Sequence, residues 1–256
     1  MTIFNAIILG IVQGLTEFFP ISSSGHLVIL QSLLGIEEPQ IAFDVFLHLG
    51  TTAAVIIYFR KDITKLFTTE RYVLKFLILA TVPTFIIGFF FKDAIEAIFA
   101  APKIVGFMLI ATGIWLISAT VVNIYLLRNN VVRRMGLAAS IAVGIAQGIA
   151  VIPGISRSGA TISTGMLSGI PRELAFKFAF LLSVPAVGGA CVLKAHNIGN
   201  ALTGKAAAAF FAGGVASMIV GLATLGLLSK IVKQNRLYIF GIYCVAVGVV
   251  TIFLIK

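Results

Sequence analysis

Six stretches of the chain, residues 42–59, 73–91, 104–127, 174–193, 206–228 and 237–255, are apolar enough and near enough to about 20 residues to cross a bilayer core as helices. Two further apolar regions, 3–34 and 137–167, are each interrupted midway by Pro, Gly and a cluster of serines. Their halves are too short to cross. In hydrocarbon every backbone polar group needs a partner within the protein, so the pattern predicts re-entrant hairpins: a half-helix in, a polar turn near mid-depth, and a half-helix back to the same side. The dyad alternation of a membrane barrel is not seen.

Composition bears on this only through charge. The chain is 59% hydrophobic and 11% charged, where a soluble domain is about 25% charged. A net charge of +10 would elsewhere raise the question of nucleic acid, but the basic residues sit in short connections between apolar runs and leave no basic stripe with interleaved aromatics. Nucleic acid is therefore not an expected partner; the lipid bilayer is. One side collects Arg60, Lys61, Lys65, Arg71, Arg128, Arg133, Arg134, Arg172, Lys230, Lys233 and Arg236, the other Lys92, Lys103, Lys194, Lys205 and Lys256. The positive-inside rule makes the first side cytoplasmic, with both termini and the mouth of the first hairpin outside. The N-terminus lacks a basic region and a small-residue cleavage site, so it is expected to belong to the mature fold. Cys191 and Cys244 lie in apolar runs without metal-ligand spacing and read as small buried hydrophobes.

The two interrupted regions match at a fixed offset of 134 residues: Gly10, Gln13, Gly14, Ser22, Ser24 and Gly25 fall on Gly144, Gln147, Gly148, Ser156, Ser158 and Gly159. The chain thus reads as one integral membrane domain, 1–256, built of two repeats of about 1–130 and 135–256. Each hairpin precedes three spans, and an odd number of crossings puts the second hairpin on the opposite face. The expected fold class is an all-α polytopic membrane protein with six transmembrane helices plus two re-entrant helix-loop-helix hairpins in an inverted-topology repeat. Its two polar turns should meet near the midplane.

Ionisable groups at membrane depth are costly and usually mark function. Glu17 and His26 flank the first turn, Arg157 sits in the second, and Asp44 and His48 share a face of the first span at i, i+4. Asp44 and His48 serve equally well as braces for the hairpin. Ser22, Ser23 and Ser24 precede a returning half-helix, where serine is a good cap, and Gly25 leaves the backbone approachable. Ser156, Ser158 and Gly159 repeat the arrangement, with Thr161 a further hydroxyl. Two helix N-termini facing each other with an arginine between them suit a phosphate or diphosphate. Were a phosphoryl group transferred, Ser23 or His26 would serve as nucleophile, and Glu17 as general base or as ligand of a divalent cation.

At these residues the chain resembles the bacitracin-resistance family of undecaprenyl-diphosphate phosphatases. "QGLTEFFPISSSGHL" is similar to the family's first signature and "PGISRSGAT" to its second, and the resemblance runs end to end. It implies hydrolysis of undecaprenyl diphosphate to the monophosphate in the bacterial inner membrane, recycling the lipid carrier for cell-wall synthesis, and a requirement for Mg²⁺ or Ca²⁺. It further implies that Glu17, His26, Arg157 and Ser23 are catalytic, with Ser156 and Thr161 in support. Gln13 stands where many members carry a second Glu, leaving one carboxylate for a metal. A different class shares the expected architecture: an inverted-repeat lipid-phosphate flippase or anion transporter, which would not need the Ser, His and Glu cluster. The small residues Gly213, Gly214, Ala216 and Gly221 fit a close helix contact, either within one chain or in a homodimer. Ordinary interfacial roles are expected for Lys177 and His196.

Overall fold

The computed structural model describes residues 2–34, 36, 41–90, 102–193 and 205–254. Among them are eleven helices and no strand. They are α1 (Ile3–Thr16), α2 (Ser23–Leu33), α3 (Ile41–Tyr58), α4 (Arg60–Phe67), α5 (Arg71–Phe90), α6 (Pro102–Arg128), α7 (Leu137–Ile149), α8 (Arg157–Leu167), α9 (Arg172–Leu193), α10 (Lys205–Lys233) and α11 (Tyr238–Leu254). The basic positions Lys92, Lys194 and Lys256, and His196, lie outside the described residues.

Each apolar run is a helix and each interrupted region a helix pair. Bulky apolar side chains such as Phe85, Phe107, Ile114, Phe211, Ile219 and Phe253 stand exposed along them, as lipid-facing positions do. The protein is a multi-pass, all-helical membrane protein. Three helices, α5, α6 and α10, are long and apolar enough to cross alone, and α3 with α4 makes a fourth span if their 68° bend is taken as one broken crossing. The remaining two expected spans, 174–193 and 237–255, are the helices α9, with 22 residues, and α11, with 17.

The repeat survives in the helices. Starts at 3, 23 and 71 recur at 137, 157 and 205, the offset of the hairpin motifs. Packing then crosses between halves: α1 and α3 lie on α10, α7 and α9 lie on α5, and α6 pairs with α11. The small-residue stripe of α10 serves these contacts within the chain. A Cβ on Gly10 would fall 2.3 Å from the Gly213 carbonyl oxygen, and one on Gly50 the same distance from that of Gly214. The principal apolar core draws on both halves, with Phe18, Ala54 and Leu77 packed together with Ile162, Phe178 and Leu225.

Helix α4 is the element the sequence pattern missed. Phe59 breaks α3, and the next eight residues turn Arg60, Lys61 and Lys65 outward and bury Leu66. Lys177 of α9 holds this segment: its Nζ lies 2.9 Å from Asp62 of α4 and 2.5 Å from Glu70 just before α5. Lys177 is therefore a three-way tie rather than a lone interfacial charge.

Candidate active site

Both hairpins reverse through a residue in the left-handed region, but not at matching positions. In the first, α1 ends at Thr16, Glu17 caps it with its N–H on the Gln13 carbonyl at 2.9 Å, and the reversal falls on Ser22 at φ 68°. In the second it falls on Gly154 at φ 90°, and Ser156 caps α8 by accepting the Gly159 N–H at 3.2 Å. A non-glycine residue at positive φ is uncommon, so the first turn holds its conformation against some strain. Other features do match: Ser22 and Ser24 Oγ are 3.4 Å apart, and their counterparts Ser156 and Ser158 are 3.2 Å apart. The turns touch, because a Cβ on Gly159 would sit 3.2 Å from the Cβ of Pro20. Gly25 is open by comparison, with nothing closer than 4.0 Å to an added Cβ.

Glu17 is the hub, its side chain 11% exposed. Its Oε2 accepts the Ser23 hydroxyl at 2.7 Å and the Gln13 amide at 3.2 Å, and lies 3.5 Å from His48 Nδ1. Its Oε1 accepts from Arg157 Nη1 at 3.4 Å. The same Gln13 amide is 2.9 Å from His48 Nδ1, so one NH₂ group spans carboxylate and imidazole while Gln13 Oε1 stays buried without a partner. Ser23 and Arg157 reach Glu17 because they are the first residues of α2 and α8. A small pocket behind the pair, with room for about one water molecule, is lined by Glu17, Phe18, Arg157, Ser158, Thr161, Ala179, Phe180 and Ser183. A far larger apolar groove between α4, α5 and α9 shares no residue with this cluster.

Not every expected residue joins the hub. The shared face of Asp44 and His48 divides: His48 meets Glu17, whereas Asp44 accepts from Gln31 of α2 at 2.7 Å and braces the hairpin. Thr161 lines the pocket, but its hydroxyl donates to the carbonyls of Arg157 and Ser158 at 2.8 and 3.3 Å. His26 faces elsewhere, with Nδ1 2.9 Å from the Ser22 carbonyl and Nε2 2.8 Å from the hydroxyl of Tyr243. Tyr243 and Ser183 went unnoticed in the sequence. An aromatic and a serine inside apolar runs carry no local signal, and only the fold brings them here.

A helical membrane protein that turns two helix starts and a guanidinium toward one buried carboxylate and its serine belongs to the class that handles anionic, oxygen-rich head groups. Residues 6–250 match the family described as bacitracin resistance protein BacA. The protein from Halothermothrix orenii named undecaprenyl-diphosphatase is 41% identical, over 99% of this chain and 98% of its own length. Those of the same name from Carboxydothermus hydrogenoformans and Desulforapulum autotrophicum are 42% and 37% identical, over 97% and 98% of this chain and 96% and 98% of their own lengths. The chain belongs to the bacitracin resistance protein BacA family.

Proposed function

We propose that this chain is a membrane-embedded hydrolase that converts undecaprenyl diphosphate to undecaprenyl phosphate and inorganic phosphate, returning the lipid carrier to wall synthesis. Bacitracin resistance follows, since the diphosphate form is removed. Relatives about 40% identical over nearly the whole chain carry the name of this activity. The observation that carries the chemistry is the contact of Ser23 and Arg157 with the two oxygens of Glu17.

Arg157 and the free N–H groups opening α2 and α8 hold the diphosphate oxygens. Glu17 takes the Ser23 proton as Oγ bonds to the terminal phosphorus. The bond from that phosphorus to the bridging oxygen breaks, its electron pair leaving with undecaprenyl phosphate. Water then cleaves the phosphoserine, releasing phosphate and restoring the hydroxyl. Geometry favours Ser23 over His26 as nucleophile, because it is Ser23 that donates to Glu17. His26, three residues on along α2, takes up the proton of the attacking water, and Glu17 returns its own to the Ser23 oxygen.

A divalent cation fits this site in a restricted way. Among the described residues no three His, Cys, Asp or Glu side chains gather. Glu17 and the unpartnered Oε1 of Gln13 are the hard donors present. Mg²⁺ is commonly held by one or two carboxylates plus phosphate oxygens and water, so Glu17 and Gln13 would hold a cation carried mainly by the substrate. When bound, it would neutralise charge on the phosphate oxygens.

Helices α1 and α7, with 14 and 13 residues, rise only about 20 Å against a core of about 30 Å. That supports re-entrant hairpins, and the crossed packing of the halves supports an inverted repeat with the site near mid-depth of the bacterial inner membrane, open to the outer side. The test is phosphate release by the purified protein from a polyprenyl diphosphate with Mg²⁺. Glu17→Gln and Arg157→Ala should each abolish it. Undiminished release in both variants would overturn the site, and exchange of labelled phosphate across vesicles without hydrolysis would favour the transporter.

A further inference from the structure

We propose that Tyr243 fixes the His26 imidazole proton on Nδ1 and joins the basic Nε2 to the attacking water; this rests on the role given to His26 above. A carbonyl oxygen only accepts, so the 2.9 Å contact of Nδ1 with the Ser22 carbonyl requires a proton on Nδ1. In the neutral ring Nε2 then carries the lone pair and accepts a hydrogen bond from the Tyr243 hydroxyl at 2.8 Å. A proton leaving the attacking water therefore reaches Nε2 through that hydroxyl, which gives its own proton to the ring as it receives the water's. Without that donor, only the Ser22 bond would select the tautomer. Which ring nitrogen bears the proton is set by the bonds made at the other.

Tyr243 is delivered by a grip of α11 on the whole first turn. Phe240 packs on Phe19 with ring centroids 5.0 Å apart, the Cys244 thiol donates to the Pro20 carbonyl at 3.3 Å, and the ring of Tyr243 stacks beside His26. These contacts bracket Ser22, the strained residue whose carbonyl His26 uses.

The repeat supplies an internal control. Along the α6–α11 contact, Gly106 meets Gly248 and Gly113 meets Gly241. Those two contacts exchange with each other if residues of α6 correspond to residues of α11 at an offset of 135. Tyr243 then corresponds to Met108, while His26 corresponds to Ala160 at the hairpin offset. Met108 and Ala160 pack in one apolar cluster with Ala146 and Ile155. The same slot is thus filled by an apolar pair in one half and a hydrogen-bonded polar pair in the other. Packing alone does not call for the Tyr–His pair, so chemistry at the first turn does.

The test is direct. In protein labelled with ¹⁵N-histidine, the His26 signals, assigned by their loss in His26→Ala, should report a single Nδ1–H tautomer. In Tyr243→Phe, which keeps the ring and its packing, they should shift toward a mixture. The kcat for polyprenyl diphosphate should fall about tenfold in Tyr243→Phe with KM unchanged, the size expected for one lost hydrogen bond. In a His26→Gln background the same change should cost nothing further. An unshifted tautomer, or an equal loss in both backgrounds, would overturn the proposal for Tyr243. Full activity of His26→Gln would instead overturn the role of His26 itself, while the tautomer signal would still report on Tyr243.

Discussion

Arg157 Nη1 lies 3.4 Å from Oε1 of Glu17, although 140 residues separate them in the chain. Each residue belongs to a different repeat, and Tyr243 reaches His26 across the same divide over 217 residues. Neither half holds the whole set. The contacts of Glu17 with Arg157 and of His26 with Tyr243 therefore exist only when the halves interlock.

The guanidinium is expected to be irreplaceable by another cation. Lysine offers a point charge without the planar fork that spans two phosphate oxygens, so Arg157→Lys should raise KM for polyprenyl diphosphate by about 10-fold or more. Steady-state phosphate release checks this; wild-type KM would mean the charge alone suffices.

Ser23 should become phosphorylated during turnover. Rapid quenching followed by peptide mass spectrometry is expected to find phosphate on Ser23, and Ser23→Ala should reduce release by at least about 10²-fold, the range lost with a group that makes the reacting bond. Phosphate found on His26 instead would exchange the two roles.

Much of this was legible in advance because its signals are local. Apolar runs fix helices, a serine cluster after a proline fixes a turn, and a constant offset fixes a repeat. The meeting of Glu17 with Arg157 followed from that repeat, which also put His26 with them, whereas His26 turns to Ser22 and Tyr243. Local patterns failed where a partner came from afar. The i, i+4 pair Asp44 and His48 shares a helix face, yet Gln31 and Glu17 draw them apart. Lys177 looked ordinary because Asp62 and Glu70, its partners, belong to elements more than 100 residues earlier. Helix α4 was hidden because its charged face resembles a loop.

Gln13→Glu is expected to reduce the Mg²⁺ needed for half-maximal activity by roughly an order of magnitude, since cation affinity rises with the number of charged ligands. The same change removes the amide that donates to Glu17 and His48, so maximal kcat should not exceed wild type. Magnesium titrations of phosphate release separate these effects, and an unaltered midpoint would place the cation away from Gln13.

Gly50→Ala should destabilise the fold. The added methyl would fall 2.1 Å from Ser217 Oγ and 2.3 Å from the Gly214 carbonyl oxygen. Backbone cannot yield as a side chain can, so α3 and α10 must separate, at about 1–3 kcal/mol. Thermal unfolding in detergent should show a lowered midpoint, whereas Gly226→Ala, where nothing lies within reach of the methyl, should not.

Lys177→Met should loosen α4. The lysine is 15% exposed, and its removal leaves the carboxylates of Asp62 and Glu70 facing each other without their shared cation. Both acids retain access to water, with 31% and 27% of their side chains exposed, so the loss should be nearer about 1–3 kcal/mol than the larger cost of stranding a fully buried charge. Proteolysis between α4 and α5 should quicken in the variant. Adding Asp62→Asn and Glu70→Gln should recover most of the lost protection, because the repulsion goes with the charges; no recovery would mean that the lysine acts through its packed stem rather than its ammonium group.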